Sequence, residues 1–175
     1  MVGAQYGKPS AERVTQRNGY RHRPLDTRAG TIDVAITVAQ LVPNAELLIV
    51  TTPQAAAAEV AERAGTIAQQ TDQKIAGVIE NMSGMTMPDG TVMNIFGEGG
   101  GEQVAERLTQ LTDSDVALLG SIPLDPTLRE HSDTGTPVVI SEPDSPAATA
   151  IRAVADQLKV RRESLAGKSL NPRVK

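Results

Sequence analysis

Two short stretches carry side chains able to engage a ligand, and each follows an apolar run. Glu80-Asn81-Met82-Ser83 comes after Ile75–Ile79, and Pro123-Leu124-Asp125 comes after Val116–Ile122. Asn81 offers a hydrogen-bond donor and an acceptor on one amide, the equipment for reading an adenine edge. An Asn after a strand also forms turns, and Asp125, followed by Pro126, also suits a helix N-cap. Spacing alone leaves both pairs of readings open. A third stretch, Gly97-Glu98-Gly99-Gly100-Gly101, invites a phosphate-loop reading because amides at a helix start bind anions. The G-x-G-x-x-G pattern fails at Glu102, no Gly-Lys-Ser/Thr completes the loop, and Glu98 and Glu102 would repel a phosphate. A turn into a helix is the expectation there.

Other chemistries find little support. The 175 residues include no Cys, so the chain has no thiolate for disulfides, nucleophilic catalysis or Cys-ligated zinc or clusters. His22 and His131 lack metal-binding spacing, and no metal site is expected. Met85, Met87 and Met93 could line a pliable contact surface or pack under a turn. The formal net charge is −4, with Lys and Arg gathered in residues 1–30 and 159–175 and an acidic middle. An acidic body argues against a nucleic-acid groove, and the basic ends read as tails. No apolar run approaches the roughly 20 residues that cross a bilayer, and the last helix lacks the bulky apolar face of a membrane-surface anchor. A cytoplasmic protein without membrane or nucleic-acid partners is expected.

These residues must be positioned by regular elements. Residues 1–30 mix Gly, Pro, Arg and Gln without periodicity and read as an irregular segment. Thr31–Leu41 fits both a strand and a helix. Glu46–Thr51 is a continuous apolar run, consistent with a strand buried on both faces. Thr52-Pro53 reads as a helix start, and the helix that follows places Val60, Ala61, Ala64, Ile67 and Ala68 on one stripe. Ile75–Ile79 and Val116–Ile122 read as further buried strands. Between them Pro88-Asp89-Gly90 predicts a short hairpin, and Val104, Ala105, Leu108 and Leu111 mark a helical face. Ser145-Pro146 starts a last helix, with Ala147, Ile151, Val154, Ala155 and Leu158 inward. Strand–helix–strand alternation predicts an α/β fold with at least three parallel strands.

Several strings, taken in order, resemble the C-terminal half of Mrp (ApbC-type) proteins, relatives of MinD and ParA. They include AELLIVTTPQ (Ala45–Gln54), AGVIENMS (Ala76–Ser83), IFGEGGG (Ile95–Gly101), LGSIPLDPTLR (Leu119–Arg129) and PVVISEPDSPA (Pro137–Ala147). The resemblance runs from about Gly30 to Leu158. It implies a partial, MinD-like P-loop NTPase sheet flanked by helices with a hairpin insertion, over residues 31–158, and makes Thr31–Leu41 helical. It also implies ATP as ligand, with Asn81, Pro123 and Asp125 on the adenine side. Asp26-Thr27-Arg28-Ala29-Gly30-Thr31-Ile32-Asp33 corresponds to the family's Asp-x-Pro-Pro-Gly-Thr-Gly-Asp, which lies near the γ-phosphate and Mg²⁺, and keeps its Asp, first Gly, Thr and last Asp but neither proline nor the second glycine. Asp26 and Asp33 are therefore the catalytic candidates.

The family's Walker A loop has no counterpart in residues 1–25, and its Cys-Pro-x-Cys pair is replaced by Met87-Pro88-Asp89-Gly90. The resemblance implies an ATP-dependent iron–sulfur cluster carrier or assembly factor, working as a homodimer and serving client proteins. The departures lead us to expect a truncated product with weak or no ATP hydrolysis and no cluster held by this Cys-free chain. The alternative is a non-catalytic module that pairs with a full-length relative.

Overall fold

The computed structural model describes residues 42, 45–54 and 57–165. Asp26, Asp33, Thr31–Leu41 and the segment 1–30 lie outside the described residues, as does 166–175. The order is β1 (Leu47–Thr51), α1 (Ala57–Thr71), β2 (Ile75–Ser83), β3 (Met85–Thr86) and β4 (Val92–Met93). There follow α2 (Gly100–Thr112), β5 (Leu118–Pro123), α3 (Pro126–Thr134), α4 (Val138–Ser141) and α5 (Pro146–Leu165).

Three strands form a parallel sheet in the order β1-β2-β5, and β3 and β4 form a separate antiparallel hairpin. The expected α/β architecture is thus present. The apolar stripes of α1 and α2 pack against each other and against one sheet face. Their meeting point is the core, where Ala61, Ala64, Val78, Val104 and Leu108 are buried. A fully buried Leu or Val contributes about 1.5–3 kcal/mol, so Val78, Val104 and Leu108 hold this layer together. A register slip between Val78 and Ile79 against β5 turns the next residues of β5 over. Leu118 therefore faces α2, while Gly120 faces Val154 of α5 on the opposite side.

Three expectations need correction. Thr52-Pro53 does not start a helix: Pro53 and Gln54 form a bend, because Pro53 lies beneath the first turn of α2. β1 is not buried on both faces. Leu47 and Ile49 pack on the core while Leu48 and Val50 are exposed, Val50 at 57%, because α5 lies across β5 rather than β1. In α5, Ala147, Ala148 and Val154 are buried but Ala155 is exposed, and the helix continues through Lys159 to Leu165.

Candidate functional site

Because the strands are parallel, their C-terminal ends share one rim, where Thr51 lies beside Glu80 and Ser83 beside Pro123. The Leu124 N–H donates to the Ser83 carbonyl at 2.9 Å, tying the two candidate stretches together. The structure therefore brings Asn81, Pro123 and Asp125, all half-buried, onto adjoining strand ends. Asn81 pairs in register with Ile122, and its Oδ1 accepts the Met82 N–H at 3.0 Å.

Asp125 is the N-cap of α3. Its Oδ1 accepts from the Thr127 N–H at 2.8 Å, and its Oδ2 accepts from the Ala147 N–H at 3.1 Å. One carboxylate thus satisfies free amides at the starts of two helices, where the helix dipole favours negative charge. In α5 the neighbouring amide, Ala148 N–H, donates to Ser145 Oγ at 3.2 Å. Both Asp-Pro and Ser-Pro starts form as their sequences dictate. With both oxygens engaged, Asp125 shapes the rim through the two helices it holds.

Sequence reasoning missed two residues. Glu80 is 6% exposed, and its Oε2 accepts the Gly101 N–H at 2.8 Å. The glycine-rich turn thus gives one amide of the helix start, Gly101 N–H, to an internal carboxylate, which stands where a phosphate-loop reading would put the ligand. The glycines are there for close approach: a Cβ on Gly100 would fall 2.5 Å from the Thr52 carbonyl oxygen, and one on Gly101 2.8 Å from Glu80 Cβ. A carboxylate directly after the apolar run Ile75–Ile79, with a glycine cluster further along the chain, was the available signal. The second is Met82, whose φ of 62° is left-handed. For a residue with a Cβ that conformation costs roughly 1–2 kcal/mol, and nothing in the composition announces it.

The hairpin leaves the same rim. Its turn is closed by Met87 N–H to Thr91 O at 2.8 Å and by Asp89 Oδ1, which accepts from the Thr91 hydroxyl at 2.6 Å and its N–H at 2.9 Å. The hydroxyl bond, then the amide bond, hold the Asp89 carboxyl below the usual carboxylate range. Val92, Met93 and Ile95 are exposed beside it. An open cleft of about 480 Å³ between α2 and β5 is lined by Glu102, Glu106 and Asp115, a poor setting for an anion.

Magnesium, which the family resemblance implies near Asp26 and Asp33, finds no donor set among the described residues. The rim carboxylates Glu80 and Asp125 are engaged with backbone amides, and among the described residues no group of three His, Asp or Glu is placed to hold a metal.

A parallel sheet with helices on both faces and polar groups gathered at its strand ends is the architecture of an α/β ligand-binding protein. The family model described as ParA: NUBPL iron-transfer P-loop NTPase matches residues 24–159, and the chain belongs to that family. It is 63% identical over 146 residues to the iron-sulfur cluster carrier protein of Mycobacterium bovis, a match covering 83% of this chain and 38% of that relative. Among solved structures it is similar to a nucleotide-binding protein of Archaeoglobus fulgidus in complex with ADP. That likeness has a TM-score of 0.51 and 34% identity over 64% of this chain and 44% of the other. The Pyrococcus furiosus cell division ATPase MinD aligns at a TM-score of 0.48 and 23% identity, over 66% and 43% of the two chains.

Proposed function

We propose that this chain provides the base-binding side of an ATP site in an iron–sulfur cluster carrier, with Asn81 and Pro123 against the adenine and Asp125 positioning them. The observation that carries this reading is the joining of Asn81, Pro123 and Asp125 along one rim by β2–β5 pairing and the Leu124–Ser83 bond. Likeness to a protein solved with ADP supports the ligand class. Phosphoryl transfer depends on positioning and on charge neutralisation by a P-loop Lys and Mg²⁺, and the full G-x-x-x-x-G-K-S/T loop is absent from this sequence: its Gly167-Lys168-Ser169 has Arg162 where the first Gly would stand. This chain alone therefore binds ATP but hydrolyses it weakly or not at all. Asp26 and Asp33 remain the candidates for the γ-phosphate side.

An iron–sulfur cluster is the family's cargo, delivered to client proteins. With no Cys in the chain, any cluster is held by a partner's thiolates or by other ligands. A homodimer, or pairing with a related ATPase, goes with this reading, and the exposed Leu48, Val50, Val92 and Met93 give it apolar surface. So does a cytoplasmic location.

The test is titration of MgATP into the folded chain, followed by ¹H–¹⁵N NMR, alongside a phosphate-release assay. The expected result is saturable shifts of the Asn81, Met82 and Leu124 amides with a Kd of about 0.1–1 mM, and phosphate release no faster than the blank. Unmoved rim amides would sink the binding reading. Mg²⁺-dependent phosphate release by the pure chain would overturn the inactive one.

A further inference from the structure

The turn of the hairpin holds the chain's one Asp-Gly pair, Asp89-Gly90, and both residues are exposed. An aspartate followed by glycine is open to attack by its own main chain, because no Cβ shields the next main-chain nitrogen. A Cβ built on Gly90 would meet nothing within 4 Å, so the surroundings add no steric cover. What the turn does add is a hydrogen bond on each reacting group. The nucleophile, Gly90 N–H, donates to the Met87 carbonyl at 2.9 Å. The electrophile, the Asp89 carboxyl, accepts on Oδ1 from the Thr91 hydroxyl at 2.6 Å and the Thr91 N–H at 2.9 Å. Bonds donated to a carboxylate favour its charged form, which resists nucleophilic attack, over the neutral acid, which undergoes it.

We propose that Asp89-Gly90 is a site of spontaneous backbone isomerisation in this chain and that Thr91 guards it. Gly90 N forms a bond to Asp89 Cγ, a carboxyl oxygen leaves as water with the acid and amide protons, and a cyclic imide closes. Water then opens the imide at either carbonyl. One opening restores Asp89. The other leaves isoaspartate, in which the chain runs through Cγ and the former main-chain carbonyl has become the free carboxylate. The water lost is regained, so the product is an isomer and no oxidant or co-reactant enters. Its main chain carries an extra carbon, Cβ, inside the turn closed by Met87 N–H and the Thr91 carbonyl. That closure sets the pairing of Met85 with Met93 and of Thr86 with Val92, so isomerisation re-aims the exposed Val92 and Met93. The inference is independent of the nucleotide reading.

The experiment ages the full chain, Thr91→Val and Thr91→Ser at neutral pH, each both folded and unfolded in guanidinium. Isoaspartate is mapped to its position by electron-transfer fragmentation of the peptides. Asn18-Gly19 reaches the same imide by losing ammonia, and its product is told apart by the change in mass. Unfolded, all three chains should isomerise at Asp89 at one rate, and the folded parent should be the slowest sample. Folded Thr91→Val, one hydrogen bond short, should run about fivefold faster than the folded parent, and Thr91→Ser within about twofold of it. Unfolded chains that form no isoaspartate at Asp89 overturn the site. A folded parent as fast as the unfolded one overturns the protection. Equal rates for folded Thr91→Val and the folded parent remove the Thr91 hydroxyl from the guarding role.

Discussion

Glu80 lies inside β2 and Asp125 two residues beyond β5, on neighbouring parallel strands, and both carboxylates accept from helix amides, yet they reach them by opposite routes. Glu80 is buried and touches α2 only because Gly100 and Gly101 let the helix come down onto the sheet. Asp125 is half-buried, precedes its helix directly, and gathers the starts of α3 and α5 at once. The first device is built by removing side chains from the partner, the second by placing an acceptor one residue before a proline. One consequence is that the glycine-rich turn, the stretch most like a phosphate loop by its letters, is already occupied by protein. The rim proposed for the nucleotide is the plainer one around Asn81 and Pro123.

The glycine side of this comparison breaks most easily. In Gly100→Ala the new methyl would sit 2.5 Å from the Thr52 carbonyl oxygen and 2.8 Å from the Pro53 carbonyl carbon, both backbone atoms that cannot rotate away. Overpacking of this kind costs about 3 kcal/mol, and the better helix preference of Ala returns under about 1 kcal/mol. A net loss of about 2–3 kcal/mol is expected in urea unfolding. A variant as stable as the parent would mean that the close approach of α2 to β1 is not what fixes the turn.

Replacing the carboxylates sharpens the contrast. Glu80→Ala leaves the Gly101 N–H without its acceptor in a buried place and should cost about 2 kcal/mol, with Glu80→Gln recovering much of it through its amide oxygen. Asp125→Ala should cost about 1–2 kcal/mol. Here Asn recovers less, because its one oxygen cannot serve both Thr127 and Ala147. Thermal melts of the four variants check this. Equal recovery by Gln and Asn would show that Asp125 caps one helix only.

Much of this arrangement was legible in the sequence, and the parts that were not share a cause. The stripes of α1 and α2, the three parallel strands and the starts at Asp125-Pro126 and Ser145-Pro146 follow from local patterns, since burial period and capping chemistry act within a few residues. Thr52-Pro53 carried the same local signal, but Pro53 is held under α2, some fifty residues on, and the bend wins. Leu48 and Val50 look like the rest of an apolar strand, and their exposure depends on which strand α5 crosses. Asn81, Pro123 and Asp125 could be named from motifs, but the Met82 conformation that orients Asn81 arises from pairing between β2 and β5. Contacts set by strand register leave no period in the chain.

Asp89 repeats the carboxylate-to-amide device in open solvent, and it gives the smallest expected effect. Its pKa is lowered chiefly by the Thr91 hydroxyl and then by the Thr91 amide, against a small opposing effect of burial. A depressed carboxylate pKa means that the folded turn prefers the charged form. Its contribution is therefore complete above the unfolded value of about 3.9 and fades as pH falls through the lower folded value. The expected outcome is that the Asp89 and Thr91 resonances of the hairpin titrate together below about pH 4. In Thr91→Val, which removes the hydroxyl, the Asp89 midpoint should rise toward the ordinary carboxylate range with little change in global stability. An unmoved midpoint would assign the shift to the backbone bond alone. The exposed turn would then differ from Glu80 and Asp125 only in its surroundings, all three being carboxylates held by main-chain amides.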